Sequence, residues 1–297
     1  MDADVIVIGA GAAGLAAAHS LAVRSLRVVV LEARDRVGGR VLSLPMGGTA
    51  EPAELGAEFI HGAAPETMAL LRKSGLSSIA LAGDSWSRGK DGVVRIRRNE
   101  FLTAARLFEK AHSLKNDESV DAFLRRLDGA AREAAQYARD FVEGFDAADP
   151  AIASVKSIAD ELRSGVDYSG ARPQGGYHPM FERLRGACVA AGAEIRFSTM
   201  VRRVSWRSRR AAVDALDARG EALTIAARVA IVTLPVGVLR DNDRTRIDFD
   251  PMFPSPKRAA LQAVEMGRVV KVALLFREAF WERIHGGRFR EAGFFRC

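Results

Sequence analysis

Val5-Ile6-Val7-Ile8 runs into Gly9-Ala10-Gly11-Ala12-Ala13-Gly14, and a small, apolar stretch follows as far as Val23. A second apolar run, Val28-Val29-Val30-Leu31, ends in Glu32. The order is strand, glycine turn, helix, strand, acid. Each glycine has its own task in such a unit. Gly9 permits the tight turn out of the strand, Gly11 lets a pyrophosphate approach the backbone, and Gly14 lets the helix lie close on the sheet. The helix N-terminus offers free N–H groups and the positive end of its dipole to phosphate. Glu32 stands eighteen residues after Gly14, where a carboxylate accepts from ribose hydroxyls. An acid here points to an unphosphorylated ribose, so to FAD or NAD. A glycine-rich turn that holds no ligand is the plain alternative.

Arg34-Asp35-Arg36-Val37-Gly38-Gly39-Arg40 comes next. A glycine pair between arginines suits a second close approach to phosphate, with guanidinium groups in reach. Read blandly, it is a basic surface loop. Taken whole, Val5 to Arg40 resembles the front end of FAD-dependent oxidoreductases with a glycine doublet after the dinucleotide fold, a group that includes the flavin-containing amine oxidases.

Composition sets the bounds. The 297 residues suffice for a large core and two domains, and an apolar fraction of 48% is that of an ordinary globular chain. There are 44 basic and 37 acidic residues, a formal net charge of +7. The basic residues are scattered, with small clusters at 95–98, 202–203 and 207–210, and no aromatic residues interleave with them. That pattern fits solvated faces and argues against a nucleic-acid partner. The two cysteines, Cys188 and Cys297, and the five histidines lie at no metal or redox spacing. Met1-Asp2-Ala3-Asp4 leads straight into the first strand without a basic leader, and no apolar run has the length of a membrane span. A cytoplasmic, soluble protein is the expectation.

After Arg40, Val41–Leu44 reads as a short strand, and Glu54-Leu55-Gly56-Ala57-Glu58-Phe59-Ile60-His61-Gly62 follows. Polar groups in so apolar a stretch need partners or a ligand. This segment resembles the "ELGA-x-x-IHG" signature of the amine oxidases, with His61 at the place of the histidine of the polyamine oxidase branch and Glu54 at the family acid. The resemblance implies that the segment passes under the flavin and lines the substrate cavity.

From Pro65 onward helices dominate. One opens at Pro65 and stops at Gly75, and Lys90-Asp91-Gly92 suggests a hairpin. Phe101, Ala104, Ala105, Phe108 and Ala111 make one apolar face at helical spacing, and Ala134, Ala138, Phe141, Val142 and Phe145 another. Asp149-Pro150 breaks the run, and Ser154 caps a helix that ends at Gly165. Pro173-Gln174-Gly175-Gly176 marks a turn before a helix over 178–191, and 194–197 and 201–206 read as strands. The stretch 228–234 reads as a buried strand ending in Thr233-Leu234-Pro235-Val236-Gly237-Val238-Leu239, similar to the family's "TLPxGVL" crossing between domains. The last apolar run, 266–276, reads as a strand interrupted only by Lys271, which alternation turns to solvent and the functional reading buries, as a lysine whose pKa can fall. It resembles the family strand whose lysine reaches flavin N5 through a water.

The expected fold is α/β, a discontinuous FAD/NAD(P)-binding Rossmann-type domain with an inserted α+β substrate domain. The segments are 1–64 and 171–238 for the FAD domain, and 65–170 and 239–297 for the substrate domain. The expected FAD contacts are Gly9, Gly11, Gly14, Glu32, Arg40 and Val201, the last by its backbone at the adenine. The resemblance adds Ala13, Ala33, Arg34, Gly38, Gly39, Gly56, Ala57, Glu58 and Thr233. It implies oxidation of an amine, polyamines among the candidates, with dioxygen as the second substrate and His61 and Lys271 as the active-site residues. Nothing after Trp281 matches the family's closing Gly-Glu signature, so the chain reads as a shortened member that exposes apolar surface and self-associates. A desaturase or protoporphyrinogen oxidase, a nicotinamide module and an inactive nucleotide-binding fragment stay open as alternatives.

Overall fold

The computed structural model describes residues 1–88, 94–96, 106–164, 170–240 and 246–296. The chain divides into two compact units, one of residues 1–58, 70–76 and 174–266, the other of 59–69, 77–173 and 267–297.

The first unit is built on a parallel sheet in the order Glu194–Arg196, Val28–Leu31, Val5–Ile8, Val229–Val232. Val5–Ile8 and Val28–Leu31 are buried throughout, as expected of central parallel strands covered on both faces. The alanine-rich helix Ala12–Ala22 joins them and buries Gly14, Leu15, Ala18 and Ala22. It packs beside helix His178–Ala190, where the Cys188 thiol donates to the Leu15 carbonyl at 3.3 Å. A second sheet runs Ala222–Ala227, Arg210–Leu216, Met200–Arg207, Asp248–Asp250. Ala211, Val213 and Ala215 alternate inward along its second strand. Val213 and Ala215 share one core with Ile6, Ile8, Val29 and Leu31 of the parallel sheet.

Two expectations change here. The strand expected over 228–234 is an edge rather than a buried strand: Val229 is exposed and Ala230 to Val232 are half-buried. Residues 239–266, expected with the substrate domain, group with the first unit. Asp248–Asp250 explains why, since it pairs in parallel with Arg203–Ser205.

The second unit has a helical core. Ser119 and Ser154 cap helices Val120–Arg125 and Val155–Arg163, accepting from the backbone N–H of Ala122 and Ser157. These helices and Ala130–Gly144 enclose Phe108, Ala111, Val120, Ala138, Phe141, Val142 and Val155. Phe101, Ala104, Ala105 and Gly165 lie outside the described residues. So do Lys90-Asp91-Gly92, although the strands on either side, Asp84–Arg88 and Val94–Ile96, pair antiparallel as the expected hairpin requires. A small sheet sets Gly170–Pro173 between Ile60–His61 and Ser78–Ala80.

The expected strand over 266–276 is not formed. A strand requires a neighbour for its backbone groups, and these residues have no ladder partner among the described residues. Val270 is 91% exposed and Val272 70%. Lys271, expected to be buried, is exposed with them.

Candidate cofactor site and candidate active-site residues

In the first unit the glycine turn lies between Val5–Ile8 and the N-terminus of helix Ala12–Ala22. Gly11 is the N-cap, in extended conformation, and no side chain caps the helix. The first-turn N–H groups thus remain for a ligand. Gly9 has φ +103°, a conformation that suits glycine. A Cβ on Gly14 would collide with the Gly9 carbonyl oxygen and come within 2.9 Å of Thr233 Oγ1. A Cβ on Gly11 would meet only the Gly39 Cα, at 3.9 Å. One glycine is thus demanded by the protein's own packing, and the other leaves space open.

Thr233 is a fixture of this turn. Its hydroxyl donates to the carbonyls of Ile8 at 2.8 Å and Gly9 at 3.3 Å, and it occupies the volume that Gly9 and Gly14 leave clear. The resemblance placed Thr233 at the cofactor; its bonds in the structure are to the turn.

The second glycine pair lies against the first. Gly38 N–H donates to the Ala10 carbonyl at 3.0 Å, and a Cβ on Gly39, where φ is +58°, would come within 3.3 Å of the Gly11 Cα. Arg34 and Arg36 fold onto their own loop, donating to the Gly39 carbonyl at 2.8 and 3.2 Å, and Arg36 also to the Val41 carbonyl at 2.8 Å. These two guanidinium groups therefore brace the doublet. Arg40 is exposed, and its side chain makes no hydrogen bond or ion pair with the described residues. Gly56 and Ala57 lie alongside it: the Ala57 N–H donates to the Arg40 carbonyl at 3.2 Å, and a Cβ on Gly56 would overlap that same oxygen. Glu58 ends the first unit's segment and is half-buried.

Glu32 is 8% exposed. Its Oε2 accepts from the Ala10 N–H at 2.7 Å and its Oε1 from the Arg34 N–H at 3.0 Å. Both glycine segments are thus tied to one carboxylate, whose remaining lone pairs can still accept from hydroxyls. Ala33 beside it is exposed. The Thr199 N–H donates to the Glu32 carbonyl and the Ser198 N–H to the Arg34 carbonyl, both at 2.8 Å. These bonds bring Val201, buried and paired with Ala215, to the same end of the sheet.

Glu54 has a task the sequence did not disclose. Its Oε1 accepts from the Ser43 hydroxyl and from the Tyr177 N–H, each at 2.7 Å, while Glu51 accepts from the Gly175 N–H at 2.9 Å. Gly176 must be glycine, since φ is +79° and a Cβ would strike the Glu54 carboxylate. Two acids thus clasp the Gly175-Gly176 turn at the start of helix His178–Ala190. Burial and the Glu54 charge push the Tyr177 phenol up to about 12.

His61 and Lys271 belong to the second unit. His61 is half-buried, with its ring edge-on to Phe145 at 5.1 Å and to Phe59 at 6.0 Å. Burial lowers its pKa, which favours the neutral imidazole at neutral pH. Lys271 Nζ lies 6.0 Å from the centre of the Phe59 ring. The structure thus gathers His61 and Lys271 around one phenylalanine.

The open space over Gly11, the uncapped helix and the partly used Glu32 fit an adenine dinucleotide. The second glycine pair, pressed on the first, sets the site apart from a plain nicotinamide-binding turn. The fold and the site fit the FAD-binding class of dinucleotide folds. The family model of the flavin containing amine oxidoreductases matches residues 12–293, and the chain belongs to that family. A relative, the probable polyamine oxidase 4 of Arabidopsis thaliana, is 29% identical over 95% of this chain and 59% of its own length. Among solved structures, a triple mutant of putrescine oxidase superposes with a TM-score of 0.70 at 23% identity, covering 88% of this chain and 63% of the other. The cyclohexylamine oxidase of Brevibacterium oxydans IH-35A gives 0.71 at 21% identity with the same coverage. The chain spans about 60% of the length of the curated relatives it matches.

Proposed function

We propose that this protein is an FAD-dependent amine oxidase that acts on primary or secondary amines, polyamines among them. The observation that carries the reading is the pair of glycine segments tied to Glu32, in a chain whose family is that of the flavin amine oxidoreductases. When bound, the flavin would supply the redox chemistry, a two-electron oxidation of the carbon bearing the amine to an imine that water hydrolyses, with dioxygen taking the electrons as hydrogen peroxide. The chain's part is to bind and orient. Gly9, Gly11, Ala13 and Gly14 present backbone to the pyrophosphate, Glu32 accepts from the ribose, and Val201 meets the adenine with its backbone. Arg40 has its guanidinium available for phosphate. Purified protein is expected to show the two flavin absorption bands and to release peroxide with spermine, spermidine or a simple monoamine. Absence of flavin after reconstitution with excess FAD would overturn the cofactor reading, and peroxide from none of these amines would overturn the activity.

His61, edge-on to Phe145 and Phe59, is the residue proposed to hydrogen-bond with the amine. His61→Ala is expected to raise the apparent KM for polyamines about tenfold, the loss of one hydrogen bond to a charged group, with FAD content unchanged. Loss of FAD without a change in amine discrimination would show that His61 serves the fold.

Lys271 is proposed to serve flavin reoxidation. Because it is exposed, Lys271→Met is expected to change stability by less than about 0.5 kcal/mol while slowing the reaction of reduced flavin with dioxygen. Stopped-flow traces identical to wild type would rule the role out.

A second reading, an FAD-binding chain without turnover, is favoured by the exposed run over 267–276. Val269, Val270, Val272, Leu274 and Leu275 are all more than half exposed, and such surface favours self-association. A peroxide assay on the monomeric fraction separates the two readings. A cytoplasmic location is part of the proposal, on composition alone.

A further inference from the structure

We propose that Arg36 is a positioning residue for the cofactor: through three backbone carbonyls it sets the glycine doublet so that the Gly39 and Arg40 N–H groups face the pyrophosphate. This rests on the FAD reading and adds what shapes the second glycine segment. Arg36 is half-buried. Its Nη1 donates to the carbonyls of Val37 at 3.0 Å and Val41 at 2.8 Å, and its Nη2 to that of Gly39 at 3.2 Å. A planar fork with fixed donor directions can span three acceptors in this way. The packing under it is close. A Cβ on Gly38 would come within 3.0 Å of the Val41 carbonyl oxygen and 3.5 Å of Arg36 Nη1.

The peptide plane carries this arrangement to the other side of the loop. In a trans peptide a carbonyl and the N–H that follows it point in opposite directions. The Gly39 carbonyl is held by Arg36 and, at 2.8 Å, by Arg34. The Arg40 N–H is therefore turned away from both guanidinium groups. The Gly38 carbonyl accepts from the Val41 N–H at 3.0 Å, which turns the Gly39 N–H away from that bond. Neither the Gly39 nor the Arg40 N–H has a hydrogen-bond partner among the described residues.

Gly38 and Gly39 have φ +105° and +58°, and successive free N–H groups around such a bend make an anion-binding concavity. It adjoins the first glycine turn. A Cβ on Gly39 would come within 3.3 Å of the Gly11 Cα, at the uncapped start of helix Ala12–Ala22. A pyrophosphate over Gly11 thus meets donors from both glycine segments, and Arg36 acts on it through the peptide rather than by contact.

The test compares ADP, which carries the pyrophosphate, with adenosine, which has none, by calorimetry on the full chain. R36M keeps a side chain of similar reach without its donors. It should weaken ADP and FAD binding by about tenfold, the value of one hydrogen bond to a charged group, and leave adenosine within about twofold of wild type. R36K, whose single ammonium cannot span three carbonyls, should restore part of the ADP affinity. A residue that served the fold alone would weaken both ligands together. If R36M fails to fold, R36K carries the test. ADP should slow hydrogen exchange at the Gly39 and Arg40 amides more in wild type than in R36K, and adenosine should slow it in neither. An unchanged ratio of ADP to adenosine affinity in R36M, or Gly39 and Arg40 amides that ignore ADP, would overturn the proposal and leave the FAD reading standing. A wild-type chain that binds neither ADP nor FAD would overturn both.

Discussion

Gly11→Ala is expected to fold normally and to lose FAD binding on the order of a hundredfold. The two halves of that result have different causes. Position 11 has φ −79° and ψ −173°, a conformation open to any residue, and an added Cβ meets protein only at 3.9 Å. The remaining cost is a poorer N-cap, about 1 kcal/mol, which moves the melting temperature by about 2–4 °C. The same methyl occupies the space over the helix N-terminus that the pyrophosphate needs. A loss of about 3 kcal/mol in binding corresponds to the hundredfold change. Flavin absorbance after gel filtration, set beside a thermal melt, reads both. A variant that keeps stoichiometric FAD would mean the pyrophosphate lies elsewhere.

Gly14→Ala should do the reverse, with stability failing first. Its Cβ would collide with the Gly9 carbonyl oxygen and crowd Thr233 Oγ1 at 2.9 Å. Neither can yield cheaply, because the Thr233 hydroxyl is bonded to the Ile8 and Gly9 carbonyls. The helix must shift off the sheet, at a cost of about 3 kcal/mol, the upper range for overpacking. The melting temperature should fall by about 10 °C, and FAD should be lost as a consequence. A Gly14→Ala protein that melts with wild type would show that the turn has slack enough to take a methyl group.

These two glycines also mark how far the sequence could be read. Spacing alone told of strand, turn, helix and acid, because the repeat of a dinucleotide unit is local and its glycines have local duties. That pattern assigned Gly14 to packing and Gly11 to the ligand, but it could not show what else Gly14 packs against: Thr233 Oγ1, 2.9 Å from an added Cβ, lies over two hundred residues further along the chain. Glu54 was legible as an acid needing a reason, but its partners, Ser43 and the Tyr177 N–H, come from segments whose meeting is tertiary. Ser154 was legible as a cap because capping is settled within three residues. Lys271 was read as the one charge inside a strand, but a strand forms only where another lies beside it, and this exposed run has no ladder partner among the described residues.

Cys188 offers a built-in clock for the nucleotide half of the molecule. Its thiol is fully buried between helices Ala12–Ala22 and His178–Ala190, bonded to the Leu15 carbonyl, with its pKa raised by burial. A thiol in that state does not react with a disulfide reagent until the two helices part, because the thiolate is the nucleophile. The labelling rate of Cys188 therefore reports the frequency with which this pair of helices opens. FAD gripping the N-terminus of the first helix would lengthen the interval between openings, so occupancy of the dinucleotide groove can be timed at a sulfur atom that never touches the ligand.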